Sequence, residues 1–72
     1  MRVDLVNADD WQALYIDGVK TTEGHRLSAW DVLKTLEGTE PITQANSHWL
    51  DDAELEKIDH SFPTLLGLIV NV

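Results

Sequence analysis

The carboxylates are the side chains with most scope for chemistry in this sequence, and they occur twice as adjacent pairs. Asp9 and Asp10 stand in a turn-forming stretch, whereas Asp51 and Asp52 stand at the start of a helix-like pattern. Two carboxylates work as general acid and base only where burial and a defined separation move their pKa values apart. Turns and helix starts favour negative charge for local reasons, because their backbone amides are exposed. The pairs therefore do not predict a hydrolase.

The histidines are the next candidates, as ligands of a metal ion. They are His25, His48 and His60. With Asp51 or Asp59 they offer enough donors for zinc, but no two of them have the i, i+4 spacing of a helical site. Their spacing also matches no zinc-finger or zincin pattern. We expect three separate histidines and no metal.

Nucleophiles and phosphate-binding loops are not evident in the sequence. It contains no cysteine, and its four glycines are dispersed instead of gathered in a phosphate-binding loop. Ser61 follows His60, but adjacency in sequence is not the geometry of a catalytic triad. We therefore expect a protein that is not an enzyme and uses no cofactor.

Tryptophan is abundant for a chain of this length, with three residues in 72. These side chains can fill a small core, or they can anchor an interface, where tryptophan and tyrosine are enriched. Trp30 flanks the inward stripe of a predicted helix and is assigned to the core. The interaction candidates, with the carboxylates beside them, are Trp11, Tyr15, Trp49, Asp9 and Asp10.

A β-hairpin must position Trp11 and Tyr15, and the sequence specifies its turn. Asp17-Gly18 separates two strand-like runs, and both residue types tolerate the positive φ of a type I′ turn. A two-residue loop predicts the cross-strand pairs Ile16 with Val19, Tyr15 with Lys20, and Leu14 with Thr21. The side that carries Leu14 is expected to face the core. The side that carries Trp11 and Tyr15 is expected either to be half-covered by the rest of the chain or to face a partner, and it is where a partner is sought first.

Two helices share the same start signal. Ser28 is expected to cap the first helix, over 29–37, while Asp31 reaches back to the amide of the cap residue. Asp51, followed at the same spacing by a glutamate, is expected to cap the second helix, over 52–59. The apolar stripe of the first helix is expected to cover the core side of the hairpin.

Three further segments have strand-like patterns. The first residues alternate around Val3 and Leu5, 42–47 is typical of an edge strand, and the apolar run 65–72 indicates a buried central strand. The predicted order is therefore β-β-β-α-β-α-β within a single domain, residues 1–72. The predicted fold class is α+β, with one mostly antiparallel sheet and one or two helices packed on one face.

The net charge of −8 limits the range of partners. Thirteen acidic residues against five basic ones repel phosphate backbones and anionic membranes, and attract basic protein surfaces. The first residues do not form a signal peptide, and the longest apolar run is too short to span a bilayer. We expect a cytoplasmic protein that binds neither nucleic acid directly nor a membrane.

One string of residues resembles short acidic proteins encoded in bacterial genomes and phages. It covers about the first half of the chain and comprises Asp10-Trp11, Leu14-Tyr15, Asp17-Gly18, Glu23-Gly24-His25, Leu27, Asp31-Val32-Leu33 and Leu36. The resemblance implies a bacterial or phage cytoplasmic protein. It implies no activity and no catalytic residue.

Two functions follow as hypotheses. The first is a non-catalytic interaction module that binds another protein, or a second copy of itself, through an aromatic and apolar patch rimmed by carboxylates. The alternative is an acidic mimic of nucleic acid that inhibits a DNA- or RNA-binding protein, which requires carboxylates spaced along one face like phosphates.

Overall fold

Along the described residues the chain forms four strands and two α-helices, and a short 3₁₀ turn comes after them. The structure, a computed structural model, describes residues 1–36, 38 and 40–70. The elements are β1 (Arg2–Asn7), β2 (Gln12–Ile16), β3 (Val19–Gly24), α1 (Ala29–Leu36), β4 (Gln44–Trp49), α2 (Asp52–Lys57) and the 3₁₀ turn (Leu66–Leu68). No helix in these ranges is long and apolar enough to cross a bilayer.

The strands form one mixed sheet in the order β3-β2-β1-β4. The β1–β2 and β2–β3 pairs are antiparallel, whereas β1 and β4 are parallel. Parallel strands cannot be joined by a tight turn and need a crossover connection. Here the segment that contains α1 leads from β3, at one edge of the sheet, to β4 at the other edge, where β4 runs parallel to β1. The α+β class is confirmed. The edge strand predicted over 42–47 is present as β4, two residues further along.

The hairpin turn is the one that the sequence specifies. Asp17 has φ 51° and Gly18 has φ 83°, so both central residues have positive φ, as a type I′ turn requires. The predicted pairs Ile16–Val19 and Tyr15–Lys20 are confirmed. The third pair is wrong, because an irregularity between Leu14 and Tyr15 shifts the register and places Leu14 opposite Thr22.

Both predicted helix starts are confirmed. Ser28 N–H donates to Asp31 Oδ2 at 3.0 Å, and Asp31 N–H donates back to Ser28 Oγ at 3.1 Å. At α2, Glu54 N–H donates to Asp51 Oδ1 at 2.8 Å, and Asp51 N–H donates to Glu54 Oε1 at 3.3 Å. Each helix therefore begins with reciprocal bonds that satisfy exposed amides. The position predicted to end α1, residue 37, lies outside the described residues.

The central strand predicted over 65–72 is wrong. Leu65 forms a single antiparallel bridge with Val19, after which the chain turns through Leu66–Leu68. Leu66 is buried, whereas Leu65 and Leu68 are exposed, so only part of this apolar run enters the core. The centre of the sheet is already occupied by β1 and β2, which leaves the run to pack beside β3. Residues 71 and 72 lie outside the described residues.

The two faces of the sheet are covered by different helices, which corrects the prediction that the helices share one face. Side chains alternate along a strand, so Leu14 and Tyr15 point to opposite faces. Tyr15 packs in a core with Leu55 of α2. Leu14 lies on the other face, where Val32 of α1 lines the same groove. The main core comprises Val6, Ala8, Ala13, Tyr15, Leu50, Leu55, Phe62 and Leu66.

Candidate protein-interaction surface

Tyr15 is buried at the centre of the core, so the prediction that it contacts a partner is wrong. Its hydroxyl donates a 2.6 Å hydrogen bond to the Pro63 carbonyl. Burial, reinforced by the negative charge of Glu23, raises the pKa of Tyr15 to about 12. The face that carries Tyr15 is covered because α2 and the chain after it fold back onto it. That long-range packing has no signal near Tyr15 in the sequence.

Trp11 is half-buried and held in place at the edge of the core. Its indole Nε1 donates a 2.9 Å hydrogen bond to Glu23 Oε2, and its ring meets the His25 ring edge-on with centroids 4.8 Å apart. Glu23 also accepts a 2.8 Å bond from Lys20 Nζ. The bonds from Lys20 and then from Trp11 lower the pKa of Glu23. Trp11 therefore fixes the end of the hairpin and has little surface left for a partner.

Trp49 is the predicted aromatic candidate that remains open to solvent, with 64% of its surface exposed. It ends β4 and lines a hollow of about 290 Å³ to which Asp9 and His25 also contribute. Asp9 and Asp10 are exposed in the turn after β1. The structure thus brings Asp9 and Trp49 together, while Asp10 meets this region through its carbonyl oxygen, 3.2 Å from His25 Nδ1.

Helix α1 has two exposed apolar side chains, Trp30 and Leu33, that were expected from the sequence to face inward. Trp30 is 67% exposed and Leu33 is 62% exposed, so the assignment of Trp30 to the core is wrong. Val32 and Leu36 are half-buried, and α1 has no fully buried residue. The apolar side chains of α1 extend around more of the helix than the face that contacts the sheet. The number of apolar residues between Ala29 and Leu36 was therefore the sequence signal that could have identified exposed side chains on this helix.

An apolar groove separates α1 from the sheet. It has a volume of about 330 Å³ and is lined by Val3, Leu5, Leu14, Val32, Ala45, Asn46 and Ser47. Ala45, Ser47 and Trp49 alternate along β4, so their side chains share the face on which Leu14 lies. We call the set made by Trp30, Leu33, this groove and Trp49 the α1–β4 surface.

A buried ion cluster lies on the opposite face of the sheet, between β1 and β4. Asp4, which has no exposed surface, accepts hydrogen bonds from Arg2 Nε at 2.8 Å and from His48 Nε2 at 2.7 Å. Burial by itself raises the pKa of Asp4, but the hydrogen bonds from Arg2 and His48, together with the positive charge of Arg2, outweigh it and lower the pKa overall. No serine or threonine hydroxyl of the described chain hydrogen-bonds His48. The cluster therefore holds two strands together and lacks a nucleophile.

Metal-binding groups do not gather elsewhere in the described ranges, where no three histidine, aspartate or glutamate side chains are placed to share an ion. Compared with known proteins, the chain matches no protein-family model, no curated protein and no solved structure. A function must therefore be argued from the α1–β4 surface itself.

Proposed function

We propose that this protein is a non-catalytic interaction module that binds another protein through the α1–β4 surface. The observation that carries the proposal is the exposure of Trp30 and Leu33 on α1, the helix whose Val32 lines an apolar groove. Burying apolar surface stabilises a protein or a complex by roughly 25 cal/mol per Å², so exposed apolar side chains gain free energy when a partner covers them. Exposed tryptophan next to a groove is typical of the residues that dominate binding energy at interfaces.

The ionisable groups support a binding role more than a catalytic one. Asp4 and His48 have the pairing of an acid–base dyad, but no serine or threonine hydroxyl of the described residues hydrogen-bonds His48 as a nucleophile would. The lowered pKa of Asp31 arises from the backbone and side chain of Ser28, which it helps to cap. These groups already have structural partners, so we assign none of them to a reaction.

The charge of the chain defines the chemistry of the partner. With a net charge of −8, the protein attracts a surface that combines apolar side chains with lysine or arginine. Asp31 stands next to Trp30 on α1, and Asp9 lines the hollow beside Trp49. These two carboxylates are sequence or pocket neighbours of the exposed tryptophans and would pair with basic groups of the partner. Binding should weaken as salt screens this attraction.

The proposal is tested by immobilising the wild-type protein and two variants and comparing the proteins that each retains from a lysate of the source organism. The binding variant is Trp30→Ser combined with Leu33→Ser, and the control is Leu68→Ser, which changes an equally exposed leucine near the C-terminal end. We expect one partner protein to be retained by the wild type and the control but not by the binding variant. Added salt should elute that protein. Equal capture by all three would contradict the proposal.

The alternative, an acidic mimic of nucleic acid, stays a prediction. It needs carboxylates in a row along one face, but Asp9 and Asp10 follow β1 at one end of the sheet and Asp17 occupies the hairpin turn at the other. The same capture distinguishes the two functions, because added duplex DNA should release the partner of a mimic and leave the partner of an apolar surface in place. Cytoplasmic location and bacterial or phage origin likewise remain predictions from the sequence.

A further inference from the structure

Strand β4 has an open outer edge. It pairs with β1 on one side, and the amide that follows it, Leu50 N–H, donates to the Asn7 carbonyl at 2.8 Å. Because backbone groups alternate in direction along a strand, the amides and carbonyls of Ala45, Ser47 and Trp49 point away from β1. No other part of the described chain makes a backbone hydrogen bond to that edge.

The opposite edge of the sheet, formed by β3, is partly covered by the chain itself. There the chain that precedes and begins the 3₁₀ turn covers the start of β3, since Lys20 N–H donates to the Thr64 carbonyl at 2.7 Å and Leu66 N–H donates to the Gly18 carbonyl at 2.8 Å. Proteins usually protect an uncovered edge with lysine, proline, a bulge or an inward charge. The β4 sequence, Gln-Ala-Asn-Ser-His-Trp, has no lysine, proline, aspartate or glutamate, and its pairing with β1 runs without a bulge.

We infer that a second copy of the chain pairs with this edge, β4 against β4 in antiparallel orientation, and joins the two four-stranded sheets into one. A two-fold axis normal to the sheet keeps corresponding faces on the same side, so directly opposite residues must share a face. Ser47 then lies on the axis facing its own copy, and Ala45 faces Trp49 of the second copy. These are the residues whose amides and carbonyls point outward, so each pair can exchange hydrogen bonds.

The side chains fit this register on both faces. On the groove side, the large Trp49 ring lies across the small Ala45 of the second copy, which lines the apolar groove. On the other side, Asn46 faces His48 of the second copy. The Asn46 Nδ2 group is buried with no hydrogen-bond partner, and His48 Nδ1 makes no hydrogen bond, among the residues that the structure describes. In the neutral imidazole whose Nε2 donates to Asp4, Nδ1 is an acceptor. The pairing gives this amide an acceptor.

Charge selects a second copy over a basic strand as the occupant of this edge. Each chain carries a net charge of −8, yet β4 contributes no aspartate, glutamate, lysine or arginine to it. A basic peptide therefore finds no carboxylate on β4 to pair with, whereas two neutral edges meet without a buried charge. The remaining charges of the two copies repel at longer range. Salt should therefore strengthen the dimer, the reverse of its effect on the basic partner proposed above.

Sedimentation of the purified chain tests the dimer and does not depend on the proposed protein partner. Over about 1 µM to about 1 mM, the range for modest interfaces, the mass should rise from 8.1 kDa towards twice that value, more readily at high salt. Ser47→Pro and Ser47→Lys should each raise the dissociation constant by at least about tenfold. Ser47→Thr is the control and should dimerise like wild type. If Ser47→Pro unfolds, Ser47→Lys decides.

Amide hydrogen exchange identifies the surface at which the copies meet. In dilute protein the amides of Asn46 and His48, which face β1, should be protected, and those of Ala45, Ser47 and Trp49 should exchange freely. At high concentration all five should be protected. A strict monomer overturns the inference, and so does a dimer that leaves the three outward amides unprotected or that tolerates Ser47→Lys. None of these outcomes bears on capture by Trp30 and Leu33, which tests the proposed function separately.

Discussion

His48 Nε2 lies 2.7 Å from Asp4 Oδ1, although the two residues are 44 positions apart in the chain. The lowered pKa of Asp4 keeps its carboxyl ionised, so it can only accept, and His48 Nε2 must be the donor. The bond fastens the edge strand β4 to β1 beside the strand-to-strand hydrogen bonds. It therefore stabilises the part of the sheet on which both proposals depend.

Replacing Asp4 by asparagine should destabilise the protein by about 2 kcal/mol, because it removes a buried carboxylate that accepts three hydrogen bonds, two from Arg2 and one from His48. Arg2 and His48 are partly exposed, so water recovers some of the loss and keeps the cost below that of a fully buried pair. Urea unfolding measures the change. Asp9→Asn, at an exposed turn, is the control and should shift the free energy of unfolding by less than about 0.5 kcal/mol.

The same carboxyl should make stability depend on acidity. A group whose pKa is lowered by folding contributes stability above its unfolded value, 3.8 for aspartate, and loses that contribution as the pH falls through the lower folded value. The difference in unfolding free energy between wild type and Asp4→Asn should therefore be constant at mildly acidic pH and shrink below pH 3.8. A difference that does not change with acid would show that Asp4 is not ionised in the folded protein.

The Tyr15 hydroxyl should lose its proton at a higher pH than an exposed tyrosine, and its ionisation should destabilise the folded state. It is the only tyrosine, so the absorbance of tyrosinate reports it directly, with an expected midpoint near its pKa of about 12. Folding raises this pKa from 10.0, so the contribution of Tyr15 to the free energy of unfolding is fully present below pH 10. That contribution is lost as the pH rises towards 12. Tyr15→Phe should abolish that alkaline loss while costing about 1 kcal/mol at neutral pH, for the missing bond to Pro63.

The exposed residues of α1 should matter for binding and not for folding. Trp30→Ser with Leu33→Ser should change the free energy of unfolding by less than about 0.5 kcal/mol, since neither side chain is buried. Leu14→Ala is the contrasting variant and should cost about 3 kcal/mol, because Leu14 is almost fully buried under the same helix. A large loss of stability in the double serine variant would place these side chains in the core.

The hairpin and the helix starts were predicted correctly because their determinants are neighbours in sequence. Asp17 and Gly18 form the turn themselves, and Ser28 bonds a residue three positions away. The bulge beside Leu14 was missed since nothing in the local pattern marks it. Of the contact candidates, Trp49 is exposed and Tyr15 is buried, although both are aromatic residues in strands.

The sequence by itself therefore determined the elements whose hydrogen bonds close within a few residues, and it determined the net charge of −8 on which the proposal of a basic partner rests. Only the tertiary structure decided which hairpin face became the core, because that depends on α2 and on Phe62 returning over Tyr15 from more than 35 positions away. It also decided that α1 would leave Trp30 exposed, whereas the edge position of β4 was already indicated by the polar pattern of 42–47. Burial depends on residues that come together from distant parts of the chain, so the types of neighbouring residues do not specify it.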